Sequence, residues 1–153
     1  REGSNFWTLQ ANASAAISLG NTTVVQPAAY VRLLFGESVP FVYGNNIGGY
    51  LAGRYTRQQI PFVGLTGCEF TERQLAVLRV DLRQQLTSDL YLSGIVNYAH
   101  CSDELSQAFE GHGIWGFGGG LVYGTTVGPF SLYAHWNDMH HRFGAYFSFG
   151  YEF

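Results

Sequence analysis

The chain is predicted to be all-β, an antiparallel transmembrane up-and-down β-barrel, and three observations predict it. Apolar and polar residues alternate over run after run at the two-residue period of an extended strand. Charge is scarce: 12% of the 153 residues are charged, about half the roughly 25% of a soluble domain. Glycine and aromatics are abundant, with 20 Gly, 12 Phe, 10 Tyr and 3 Trp, yet no apolar run approaches the roughly 18 residues that a membrane helix needs. A barrel wall strand shows lipid only at every second position, so apolar and polar residues cancel along it.

The elements follow in order. Residues 6–18 form the first strand, with Trp7, Leu9, Ala11, Ala13, Ala15 and Ile17 on one face and Thr8, Gln10, Asn12, Ser14 and Ser18 on the other. A short turn at 19–21 leads to a strand over 25–35, with Ala29, Val31, Leu33 and Phe35 outward and Tyr30 and Arg32 inward. Residues 36–72 read as a long irregular stretch, rich in Gly and holding two of the four prolines. From 74 to 86 the outward set is Ala76, Leu78, Val80 and Leu82; Arg79, Asp81 and Arg83 line the inner face. Ser88-Asp89 turns into a strand over 90–100, with Leu90, Leu92, Val96 and Tyr98 outward and Tyr91, Ser93 and Asn97 inward. The polar segment CSDELSQAFEGHG precedes a strand over 114–123 with Trp115, Phe117, Leu121 and Tyr123 outward. Residues 125–128 turn into a strand over 130–137 with Phe130, Leu132, Ala134 and Trp136 outward, and DMHHR feeds the last strand. There Phe143, Ala145, Phe147, Phe149, Tyr151 and Phe153 share one face.

Connections alternate between long polar loops and turns of a few residues, the pattern of a barrel with one exterior and one periplasmic rim. Trp7, Trp115 and Trp136 then fall at the outer interface, where amphipathic rings favour the headgroup level, and Tyr123, Phe130, Tyr151 and Phe153 at the inner one. A soluble lipocalin-like barrel alternates equally well but turns its apolar face inward. Here the polar face carries Ser, Asn, Gln, Tyr and charges, which suits a lumen. The count is seven strands, and single-chain bacterial barrels have even numbers. Either further strands lie upstream, or residues 47–61 hide an eighth and the chain closes alone.

The 153 residues make one domain, 1–153. Starting at Arg1 without an initiator Met or a signal peptide, the chain reads as a mature form or the C-terminal piece of a longer one. A net charge of -3 with no basic cluster argues against nucleic acid, and no motif points to a cofactor. Cys68 and Cys101 fall in polar segments between strands, and lie on one rim of adjacent strands, so that either a disulfide or two thiols fits.

Several phrases carry a resemblance. They are VRLLFGESVPFVYGNNIGGYLAGRY, QLAVLRVDLRQQLTSDLYLSGIVNYAH, GGGLVYGTTVGPFSLYAHW and the terminal aromatic strand. In order and spacing, over roughly residues 28–153, they resemble the C-terminal half of the BamA-like outer-membrane surface-antigen superfamily. GRYTRQQIPF and VGPFSLYAHW further resemble the Bacteroidetes subgroup whose barrel follows a patatin-like phospholipase domain. The resemblance implies the C-terminal half of a larger barrel, located in the bacterial outer membrane and acting as anchor or translocator for an N-terminal domain. The partners it implies are outer-membrane lipid, the barrel-insertion machinery and that upstream domain, with a homodimer as a further candidate. It implies that the terminal aromatics Phe149, Tyr151 and Phe153 are read as an insertion signal. It also implies a loop folded back into the lumen, whose arginine meets an acid on the inner wall. The matching residues are Gly53, Arg54 and Tyr55, in the order Gly-Arg-Tyr where the family has Arg-Gly-Tyr, and the wall partners are Arg79, Asp81 and Arg83.

Catalysis finds little support. A patatin-type active site needs a G-x-S-x-G elbow, and this chain has none. His100, His112, His135, His140 and His141 all map toward the outer rim. A metal site with Asp138 would need His140 and His141 on one side of a strand, and adjacent residues point oppositely. An acyl hydrolase in the wall would pair His135 with Ser131, but these share the lumen face, away from arriving acyl chains. Solvated rim histidines are the plainer reading. The alternative to the anchor is thus a self-contained eight-stranded barrel with adhesive or lipid-modifying activity.

Overall fold

The computed structural model describes residues 5–36, 39–49, 59–65, 70–102 and 112–150. The wall strands are β1 (Trp7–Ser14), β2 (Ile17–Leu19), β3 (Thr23–Phe35), β7 (Gln74–Gln85), β8 (Leu90–Ser102), β9 (His112–Thr125), β10 (Gly128–Asn137) and β11 (Phe143–Phe149). They form one antiparallel sheet in the order β1-β3-β7-β8-β9-β10-β11, with β2 also on β3. With β1 and β2 counted as one interrupted line, each wall strand pairs with the next wall strand along the chain, as an up-and-down wall requires.

Which way each side chain points is decided by exposure. Leu78, Phe147 and Phe143 are 60%, 62% and 85% exposed, whereas Val77, Ile95 and Tyr133 on the opposite face are 0%, 2% and 3%. The apolar face therefore turns outward and the concave face is filled, the reverse of a lipocalin.

The first strand departs from a single run. β1 and β2 keep one register along β3, from Trp7↔Phe35 to Leu19↔Thr23, but the ladder lapses between Ser14 and Ile17. Pro27 is the cause. Ala15 N–H donates to the Pro27 carbonyl at 3.0 Å, and proline has no N–H to return the bond.

The stretch read as irregular contains a second, smaller sheet. β4 (Asn45–Ile47) pairs in parallel with β5 (Gln59–Ile60) and antiparallel with β6 (Phe70–Glu72). Ile47 and residues 59–60 thus belong to this separate sheet and supply no eighth wall strand. β8 also runs further than predicted, pairing Ser102 with Gln74. Cys101 consequently lies within a strand and is buried, not in a polar connection; Cys68, and with it any bridge, lies outside the described residues.

Short connections join β2 to β3, β7 to β8 and β9 to β10 at one rim, and longer ones join β3 to β7, β8 to β9 and β10 to β11 at the other. Trp7, Trp115 and Trp136 sit on the outward face near the strand ends of the second rim. Tyr98, Trp115, Phe117 and Trp136 follow one another there at centroid separations of 4.8, 6.2 and 6.0 Å. Phe149 faces outward and is 59% exposed; Tyr151 and Phe153 lie outside the described residues.

Candidate functional site

The concave face is occupied by the chain itself. Phe62, Val63 and Leu65 are each 0% exposed, and full burial of such side chains contributes roughly 1.5–3 kcal/mol each relative to water. Ile47, Ile60, Phe62 and Leu65 from the small sheet and its continuation pack on Leu75 and Val77 of β7, Ala99 and Cys101 of β8 and Ile114 of β9. Val63 packs separately with Ile95 and Tyr133. One rim of the lumen is therefore lined with apolar residues because a folded segment covers it.

A backbone lying against a wall must satisfy its own polar groups, since little water reaches it. Three wall strands supply the partners. Asn97 on β8 accepts from Val63 N–H at 3.3 Å and donates to the Val63 carbonyl at 2.8 Å. Asn137 on β10 donates to the Gly64 carbonyl, and the Tyr146 hydroxyl on β11 donates to the Leu65 carbonyl. The Gly49 N–H donates to the same Leu65 carbonyl at 3.1 Å, tying the segment back to the end of β4.

Contact this close needs a wall without side chains. A Cβ on Gly116 would stand 1.9 Å from the Val63 carbonyl oxygen. Gly64 takes φ +110°, and a Cβ there would meet the Trp136 carbonyl at 2.9 Å. The inner face of β9 reads Ile114, Gly116, Gly118, Gly120, Val122, so glycine at alternate positions leaves a groove in which the segment sits.

A second polar joint fixes the start of the loop. The Arg32 guanidinium on β3 donates to the Tyr43 carbonyl at 3.1 Å and to the Asn45 side-chain oxygen. Asn45 returns two bonds, to the Arg32 carbonyl at 3.0 Å and the Arg73 carbonyl at 2.9 Å. Asn45 is fully buried, at 0% exposure.

Of the residues singled out from sequence, Gly53, Arg54 and Tyr55 lie outside the described residues. Asp81 accepts from Arg79 Nε with both oxygens, at 2.9 and 3.1 Å, so these two wall residues pair along their own strand. Arg83 on the same face is exposed. His135 is not a solvated rim residue: it is 3% exposed, with its ring stacked on Tyr146 at 4.5 Å and lying over Gly144. Ser131 shares a hydrogen bond of 2.6 Å with Ser148. Four residues along a strand separate Ser131 and His135 by about 13 Å, too far for the proton transfer that a hydrolase pair needs.

The residues that sequence reasoning missed are Phe62, Val63 and Leu65 and their anchors Asn137 and Tyr146. One signal pointed to them. Glycine at every second position on one strand face marks the close approach of another backbone.

Among the described residues, the wall is a meander of strands with an outward apolar face, and loop segments return to pack on its inner face. None of the curated proteins matches the chain. The family comparison does: residues 2–153 match the OMP85 superfamily, whose members are in general outer-membrane β-barrels. With the match spanning nearly the whole sequence, the chain belongs to the OMP85 superfamily.

Proposed function

We propose that this domain is a non-catalytic barrel that anchors, and acts as translocator for, an N-terminal domain of the patatin-like, surface-antigen type in the outer membrane. The observation that carries the reading is the luminal segment 59–65. Its Phe62, Val63 and Leu65 side chains are fully buried and its carbonyls are held by three separate wall strands. A barrel built only as an adhesin needs no such seal. A wall-embedded hydrolase would need a nucleophile beside a base, and Ser131 and His135 are not neighbours. The outward aromatic face supplies contact with lipid, and the terminal aromatics, beginning with Phe149, suit reading by the insertion machinery.

The test is a localisation experiment on the full-length protein. Removing the barrel should move the N-terminal domain out of the outer-membrane fraction, while the purified barrel should show no esterase activity on short acyl esters. An N-terminal domain that stays in the outer membrane without the barrel would contradict the anchor. Ester hydrolysis by the barrel that is lost in Ser131→Ala would contradict the non-catalytic assignment.

A further inference from the structure

A cavity of about 360 Å³ lies between the luminal segment and the β10–β11 hairpin. Gly64, His135, Asn137, His140 and Arg142 line it. Its chemistry is one-sided: a guanidinium and two imidazoles face it, and among the described residues no carboxylate does.

The turn at 138–142 has a carboxylate, and the fold directs it elsewhere. Asp138 Oδ1 accepts from the Trp115 N–H at 2.9 Å, which commits it to β9. The Asn137 side-chain oxygen accepts from His140 N–H at 2.7 Å while its amide donates to Gly64. His141 takes a left-handed φ of 50°, uncommon for any residue with a Cβ. These contacts hold the hairpin turn against the luminal segment with His140 and Arg142 on the cavity. The site is therefore positioned by the same Asn137 that anchors the seal.

We propose that this cavity binds a phosphate-class anion, with Arg142 as the charged ligand and His140 as a second donor. Guanidinium matches phosphate geometry by presenting paired N–H groups, and a charge-assisted bond of this kind is about twice as strong as a neutral one. The cavity lies at the rim with the long connections, where either a soluble phosphate or the phosphate of a lipid headgroup can reach it.

The probe is inorganic phosphate titrated by calorimetry into the intact protein in zwitterionic detergent. Saturable binding is expected, weakened about tenfold or more in Arg142→Gln by loss of the charge-assisted bonds. Arg83→Gln, which removes an exposed cation elsewhere on the inner face, should bind as the parent does. Heat-modifiability on gels checks that each variant is folded. No saturable binding, or equal loss in both variants, would overturn the site. The source is then separated in nanodiscs of phosphatidylcholine with and without phosphatidic acid. Phosphate displaced by the phosphatidic acid identifies a headgroup ligand, and phosphate binding left undiminished identifies a soluble one.

Discussion

Gly116 is the residue on which the seal depends most sharply. Its hydrogen occupies the space between β9 and the Val63 carbonyl, and the three obstacles to a larger residue are the Val63 backbone oxygen and the side chains of Asn97 and Phe62, both held in place by burial. Gly116→Ala should destabilise the folded barrel by about 1–3 kcal/mol through overpacking, read as a lower midpoint in urea unfolding in micelles. Asn97 makes the complementary case. Asn97→Ala strands the Val63 N–H and carbonyl in a dry site, and leaving such groups unpaired costs roughly 1–3 kcal/mol each. Because the two residues grip the same carbonyl region, their effects should not add. A double mutant whose loss equals the sum of the singles would show that the contacts are independent.

At the scale of the element, the wall strands were legible because their two faces meet different media. Leu78 and Val77 differ by one position and by 60% exposure against 0%, and a period of two carries that contrast directly into the sequence. Lysine at Leu78 or Phe147 should cost about 2–4 kcal/mol if the site is near mid-membrane, and Ser148→Lys much less. The fraction of heat-modifiable folded protein checks this; equal losses at Phe147 and Ser148 would refute the assignment of faces. The luminal segment was not legible in this way. Phe62, Val63 and Leu65 are apolar on both sides of Gly64 and bury all round, so no alternation marks them. Cys101 was misplaced because a strand end has no signal of its own when the wall continues past the last clear alternation at His100.

The whole molecule combines a sheet made from local pairings with a plug made from distant ones. Asn137 reaches back 73 residues to Gly64, and Tyr146 reaches 81 to Leu65. Contacts of that separation leave no periodic trace in the segment itself, and the alternate glycines of β9 mark a close approach without saying which backbone makes it, so the wall could be read from sequence and the segment filling it could not. Together Asn97 and Asn137 hold the segment at Val63 and Gly64 against the wall. The double variant Asn97→Ala/Asn137→Ala should raise single-channel conductance in planar bilayers above that of the parent, and unchanged conductance would mean the seal holds by apolar packing alone.

The order of the wall has a consequence in the arithmetic of direction. Among the described residues its eight strands occupy seven lines, because β1 and β2 share one, and every neighbouring pair is antiparallel. Six alternations across seven lines bring the two margins, β1 and β11, out pointing the same way. Joining those margins to each other would make a parallel seam. So would joining two copies about an axis normal to the membrane, since that rotation leaves every strand's direction unchanged. Within a membrane, open backbone edges are costly and rings close. An all-antiparallel ring built on this sheet thus requires an odd number of additional strands between Phe149 and Trp7, a requirement of topology that no side chain can relax.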